Sequence, residues 1–404
     1  MINHLGNLAG GLLLIVAVIA TAYRVARSSQ FYRRELAAGA NRELALDGLR
    51  GVAALMVATH HAELAGACLL DGEWGDARSP VLQLFGPSGV ILFFMLTGYL
   101  FWSKARKAGG KINPLKLWPG RLCRIGPLYL ASLLCVLLLA ELQVGGTWLK
   151  PANWQPLLRL FALGALNWQK VGPVDPGDYN GVVWTLAYDR QFYLVLPLMA
   201  CLAVGWRTIG VAGVLGFLFF CPWVFFYLCP GMDWVGLDLK PYMYFIFGML
   251  SAVFLDHETA RSRLSHPISA ALAILIAAGM LVLNQLSGFS LALAGALFPI
   301  FLVAAAGNQW FDFLSHPAMR CLGMISFSYY LLHDIIFRLE MRLIRTAGWN
   351  DLPHFCYWLL FMVTAVALTG LCSATYRWIE FPFLSLSHKP NAGLPKVIRS
   401  RFRI

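Results

Sequence analysis

Apolar runs of about 20 residues, long enough to cross roughly 30 Å of hydrocarbon as an α-helix, recur along this chain between short polar connections. They lie near residues 5–23, 48–70, 81–102, 122–142, 182–204, 208–228, 240–255, 268–286, 289–306, 321–338 and 356–379. The pattern predicts eleven helices and an all-α, polytopic membrane bundle. The run 240–255 is short, so a tilted or irregular helix is expected there. The apolar patch from Leu157 to Trp168 is too short to cross and is expected at the interface or as a re-entrant segment. The connection from Gln143 to Gly181 is rich in Pro, Gly, Trp and Asp and predicts an ordered cap over the bundle.

The first run is expected to remain as a transmembrane helix and not to be removed as a leader. Its opening residues Met1-Ile-Asn-His carry no basic side chain, and the arginines follow the apolar run instead of preceding it. Composition agrees with the bundle: 59% of residues are hydrophobic and 13% charged, whereas soluble chains are about a quarter charged. If the first helix starts outside, 23 of the 32 Lys and Arg residues fall on the inner side, which predicts N-terminus out and C-terminus in. The net charge of +12 then reports topology and attraction to anionic headgroups, not nucleic acid. The nine cysteines lack zinc-like spacing and read as small packing residues, so no metal site is expected.

Against this apolar background, a few ionisable residues stand out. Arg50 and His61 are eleven positions apart in the second run, within roughly 20° of one helical face and about 16 Å of rise. His60 points roughly 80° away from that face. His61 lies about 20 Å above the inner face, His333 about 18 Å, and Asp189 about 20 Å. Each alone also fits a helix–helix hydrogen bond. Their common depth favours one functional site, because intramembrane ionisable groups are costly. Arg121 and Arg124 sit one turn apart at an inner helix start and suit phosphate, though either also fits positive-inside anchoring. Asp47, one turn before Arg50, is placed to cap its helix and pair with that arginine.

At these residues the chain resembles the membrane acyltransferase-3 family, which includes bacterial O-antigen and peptidoglycan O-acetyltransferases. The resemblance runs from Leu46 to Phe383. Leu46-Asp47-Gly-Leu-Arg50 through His61 is similar to the family's opening motif, and Phe93-Phe-Met-Leu-Thr97-Gly98-Tyr99 to its second. Arg121-Leu-Cys-Arg124-Ile-Gly-Pro127-Leu-Tyr129 resembles the arginine motif. Trp184-Thr-Leu-Ala-Tyr-Asp189-Arg190-Gln-Phe192-Tyr193 follows, then Ser326 to His333, and last Tyr376-Arg-Trp-Ile-Glu380-Phe-Pro382. Asp189 replaces the usual glutamate, Arg190 stands where a second acid is common, and Thr97 replaces serine but keeps the hydroxyl.

The resemblance implies a ten-helix acyltransferase core over 41–384, preceded by an extra helix and basic connector (1–40) and followed by a basic cytoplasmic tail (385–404). It implies a bacterial inner-membrane enzyme that moves an acyl group, with acetyl expected, from cytoplasmic acyl-CoA to a hydroxyl of a cell-envelope glycan. That glycan would be O-antigen lipopolysaccharide, another surface polysaccharide or a lipid-linked oligosaccharide. Acyl-CoA enters as substrate, with no bound cofactor. In this reading Arg50, Arg121 and Arg124 hold the donor, and His61 acts as base or transient acyl carrier. Asp189 and His333 orient it or relay protons, while Asp47, Thr97, Tyr129, Trp184 and Glu380 support the site. Residues Asp175 to Asn180 of the cap offer polar contacts to a sugar. Transfer is expected either directly or through a separate protein, without the soluble partner domain that some relatives carry. A transporter of a lipid-linked or acylated sugar, with the buried ionisable groups as a proton path, is the other class this pattern fits. A structural subunit of an envelope complex is a third.

Overall fold

The computed structural model describes residues 2–38, 43–145, 150–161, 170–204, 240–283, 288–349 and 351–388. Among these the secondary structure is helical, apart from an isolated bridge between Val171 and Val174. In chain order the helices are α1 Ile2–Ser28, α2 Gln30–Ala38, α3 Leu44–Asp71, α4 Pro80–Lys107, α5 Pro114–Val144, α6 Trp154–Leu160 and α7 Trp184–Val204. They continue as α8 Lys240–Phe254, α9 Glu258–Leu264, α10 Pro267–Leu283, α11 Leu291–Ala305, α12 Pro317–Met324, α13 Ser326–Thr346, α14 His354–Thr375 and α15 Phe381–His388. A π-helical turn, Tyr376–Glu380, joins the last two.

Five helical stretches among the described residues are long and apolar enough to cross a membrane: Gly6–Ser28, Leu44–Asp71, Pro80–Lys107, Pro114–Gln143 and His354–Leu386. The pair α9 and α10, bent by 75°, makes a sixth if it is one broken span. The chain is therefore a multi-pass membrane protein. Not every predicted run became one long helix. The short 240–255 run is α8, of 15 residues, and α11 also has 15. The run 321–338 is interrupted at Ile325, so that α12 ends and α13 begins there. Of the Leu157–Trp168 patch, α6 carries the first part; the rest, the run 208–228 and the tail beyond His388 lie outside the described residues.

The chain forms two compact units, Met1–Lys104 with Val235–Gly370 and Ala105–Trp234 with Leu371–Ile404. The first unit is built around α3, whose span is 83% buried against 22% for α1. Only a helix surrounded by other helices can bury that much of its surface. Helix α1 packs along α3, where the Asn7 amide donates to Glu63 Oε1 at 2.7 Å within the core. Helices α12 and α13 run beside α3 in the same direction. The approach is close because Gly48 faces the backbone of Leu314, where a Cβ would collide with the carbonyl. Gly98 of α4 likewise lies directly against the Phe245 carbonyl of α8, giving the Thr97-Gly98 motif a packing role.

The second unit centres on α5, which packs against α7, the π-turn and α15. The Tyr129 hydroxyl, on α5, donates to the Leu160 carbonyl at 2.5 Å and so ties α6 to this helix. The expected cap contributes a short 3₁₀ turn, Pro176–Asp178, whose first amides are met by Asp175: its Oδ1 accepts from Gly177 N at 2.9 Å.

Candidate active site

Helix α3 opens after Glu43, and its first-turn acid Asp47 forms an ion pair with Arg50 one turn later. The pairing expected from their spacing is present, at the entrance to an apolar helix. Further along, His60 and His61 diverge as a 100° step requires. The His60 ring is buried and its Nδ1 lies 2.9 Å from the Leu82 carbonyl, a backbone acceptor on α4. His61 turns instead toward α13.

There it meets two consecutive residues. His61 Nδ1 is 3.0 Å from Asp334 Oδ1, and the His61 and His333 rings stand edge to face with centroids 4.8 Å apart. Asp334 is fully buried and also accepts from Arg338 Nε at 2.8 Å. A carboxylate oxygen only accepts, so Nδ1 of His61 carries the proton and its Nε2 lone pair is left for chemistry. His333 is fixed in the same sense. Its Nδ1 donates to the Tyr329 carbonyl at 2.9 Å, and its buried Nε2 has no hydrogen-bond partner among the described residues. The Arg338 guanidinium lies 3.8 Å from the centroid of the Trp74 ring, and Trp74 is 6.3 Å from the His61 ring. The result is a closed cluster of Trp74, Arg338, Asp334 and His61, with His333 beside the imidazole.

The carboxylate on His61 is thus Asp334, where the sequence assigned that role to Asp189. Asp334 follows His333 directly, one residue beyond the motif that ends on the histidine. Its spacing from Arg338, four residues, is the signal: an acid and a base one helical turn apart, on a helix that goes on to carry Glu340, Arg342 and Arg345. Trp74 was also missed, being an isolated aromatic in a polar connection.

The other named residues belong to the second unit, except Thr97, which is half-buried on α4. Asp189 and Arg190 sit in the first turns of α7, both half-buried, and Trp184 opens that helix against Tyr188, with ring centroids 5.7 Å apart. On α5, Arg124 NH1 lies 3.7 Å from Oε2 of Glu380, a fully buried acid of the π-turn. The guanidinium of Arg121 stands 5.6 Å over the Tyr193 ring. It also borders a cavity of about 420 Å³ between α5 and α7, whose other walls include Trp118, Ile125, Leu186, Arg190 and Leu194.

A half-buried histidine whose tautomer is set by a fully buried carboxylate, inside a multi-pass helical bundle, suits general-base chemistry on a hydroxyl or thiol and points to a class of membrane enzymes. The family model described as an acyltransferase domain matches residues 43–374, and the chain belongs to this acyltransferase-3 family. It is 24% identical over 393 residues to O-acetyltransferase OatA of Staphylococcus aureus, covering 87% of this chain and 58% of that protein. It is 27% identical over 356 residues to acyltransferase MdmB of Streptomyces mycarofaciens, covering 81% of this chain and 87% of MdmB. This chain accordingly spans little more than half the length of OatA. No solved structure matches.

Proposed function

We propose that this protein is an O-acyltransferase of the bacterial inner membrane. It takes an acyl group, acetyl in the simplest case, from cytoplasmic acyl-CoA and places it on a hydroxyl of an envelope glycan. The observation that carries this reading is the His61 Nδ1 to Asp334 contact of 3.0 Å, which leaves Nε2 as the base. In the step proposed, His61 Nε2 takes the proton of the acceptor hydroxyl as its oxygen attacks the thioester carbonyl. The C–O bond forms, the C–S bond breaks, and the departing thiolate recovers the proton from the imidazolium. Asp334, held by Arg338, stabilises that cation, and His333 and Asp189 serve as proton relays. Arg50, Arg121 and Arg124 hold the anionic donor from the inner side, to which this reading assigns the C-terminus on the strength of the excess of basic residues.

The test uses the purified protein in lipid nanodiscs, radiolabelled acetyl-CoA and envelope polysaccharide deacylated with mild base. Release of CoA that depends on the polysaccharide, with label recovered as a base-labile ester, is the expected result. Transport of a sugar driven by a proton gradient, without CoA release, would replace this reading with that of a transporter.

A further inference from the structure

The loop between α3 and α4 carries a tryptophan that the activity so far described leaves unused. From His61 to the end of α3 at Asp71 is about 15 Å of helix rise. Trp74 lies beyond that end, yet its ring centroid is only 6.3 Å from that of His61. Its indole therefore reaches back into the bundle, below the level that an interfacial aromatic anchor would occupy. Arg338 covers one ring face at 3.8 Å, while the residue as a whole keeps part of its surface open.

The loop is fastened on both sides of this tryptophan. Gln83 accepts from Ala77 N at 2.7 Å and donates to Asp76 Oδ1 at 2.6 Å. Ser79 N donates to the buried Glu63 at 3.1 Å, and Arg78 is paired with Asp71. A bulky aromatic ring pinned by a guanidinium on one face, beside a catalytic-type imidazole, is a preformed flat surface. Glu73, its exposed neighbour, supplies carboxylate oxygens that accept from hydroxyl groups. A ring with an apolar face and hydroxyls at its rim matches both features: a pyranose.

We propose that the open face of Trp74 is the acceptor subsite, on which a pyranose ring stacks so that one of its hydroxyls meets His61. This rests on the acyltransferase reading above and adds the chemistry that selects the acceptor. Trp74 binds substrate here, while Arg338 positions both the indole and Asp334.

The experiment compares wild type, Trp74→Phe, Trp74→Leu and Trp74→Ala in nanodiscs, with acetyl-CoA and base-deacylated envelope polysaccharide. The polysaccharide KM should rise roughly tenfold in Trp74→Leu and Trp74→Ala, the scale of a lost aromatic contact, and by more than kcat falls. Trp74→Phe should recover most of the loss, and the Kd for acetyl-CoA, read by calorimetry, should match wild type in all four. Trp74→Leu keeps apolar bulk, so it separates lost stacking from a collapsed loop should Trp74→Ala fold poorly. An unchanged polysaccharide KM with reduced kcat would overturn the subsite and make Trp74 only a clamp for Arg338. Equal loss in Trp74→Phe and Trp74→Leu would overturn it too. No transfer by the wild type itself would instead overturn the acyltransferase reading.

Discussion

His61 and His60 are neighbours with opposite fates, and the difference is one step around a helix. His60 spends its Nδ1 proton on the Leu82 carbonyl within packed surroundings, whereas His61 spends it on Asp334. His61→Ala should therefore lower turnover by about 10²–10⁴-fold, the usual contribution of a positioned base, with the protein still inserted. His60→Ala should cost thermal stability and leave turnover per folded molecule close to wild type; equal loss of turnover in both would refute the face assignment. Asp334→Asn makes a sharper test. An amide in that place can donate to Nδ1 and move the imidazole proton to Nε2, so turnover should fall by roughly 10²-fold or more while acyl-CoA still binds. Asp189→Asn, measured beside it, tests the second carboxylate: a loss much smaller than that of Asp334→Asn would remove Asp189 from the chemistry. The sequence suggests a common height for His61 and His333, and their rings do meet. Asp334 was not legible there, because depth along a helix ranks residues by height and is blind to which neighbours two packed helices share.

At the scale of elements, the histidine–aspartate pair depends on α3 and α13 lying in register within the first unit, while in the second unit α5 carries the arginine pair in its N-terminal half. The interruption at Ile325 lets α12 pack closely on the start of α3 while α13 continues at its own angle toward His61. An apolar run reads as one span in sequence, and a lone glycine such as Gly323, two residues before the break, is tolerated inside helices and so does not mark one. The arginine motif was legible as a pair one turn apart, but its acidic partner was not, being more than 250 residues away. Arg124 lies within ion-pair distance, 3.7 Å, of the buried Glu380, which biases its guanidinium toward that acid. Arg124→Ala and Glu380→Gln should both weaken acyl-CoA binding in calorimetry, and the double variant should be little worse than Arg124→Ala alone. Arg121, over the Tyr193 ring and bordering a cavity, should matter less for donor affinity when changed to Ala. Arg50→Lys keeps the charge and loses the planar fork, so donor affinity should fall in that variant as well. Wild-type affinity in both the Arg50 and the Arg124 variants would end the docking scheme.

For the molecule as a whole, the decisive property is sidedness. Under the proposed reaction the acyl-CoA donor is confined to the cytoplasm and the envelope glycan is met outside, so the His61 imidazole would have to be approached from two faces. Within the first unit the chain directions fit this demand. Asn7 near the start of α1 meets Glu63 in the second half of α3, so these helices are antiparallel, and Arg50 and Trp74 lie toward opposite ends of the structure built on α3. In the proposed topology, with the excess of Lys and Arg on the inner side, the Arg50 end is inside. Glu73, beside the acceptor platform, would then face outward, and Gly109, in the α4–α5 turn among Lys107 and Lys111, inward. The fit can be checked without any substrate. Glu73→Cys and Gly109→Cys, each in a cysteine-free background, should react differently with a membrane-impermeant maleimide. In intact spheroplasts Glu73→Cys should label and Gly109→Cys should not, while inverted vesicles should reverse the pattern. Gly109 has φ +58°, so its variant is strained and its expression must be confirmed after detergent solubilisation. If spheroplasts label Gly109→Cys and spare Glu73→Cys, the donor arginines face the wrong compartment for CoA. Cytoplasmic acyl-CoA would then be excluded as the donor, whatever the geometry around His61.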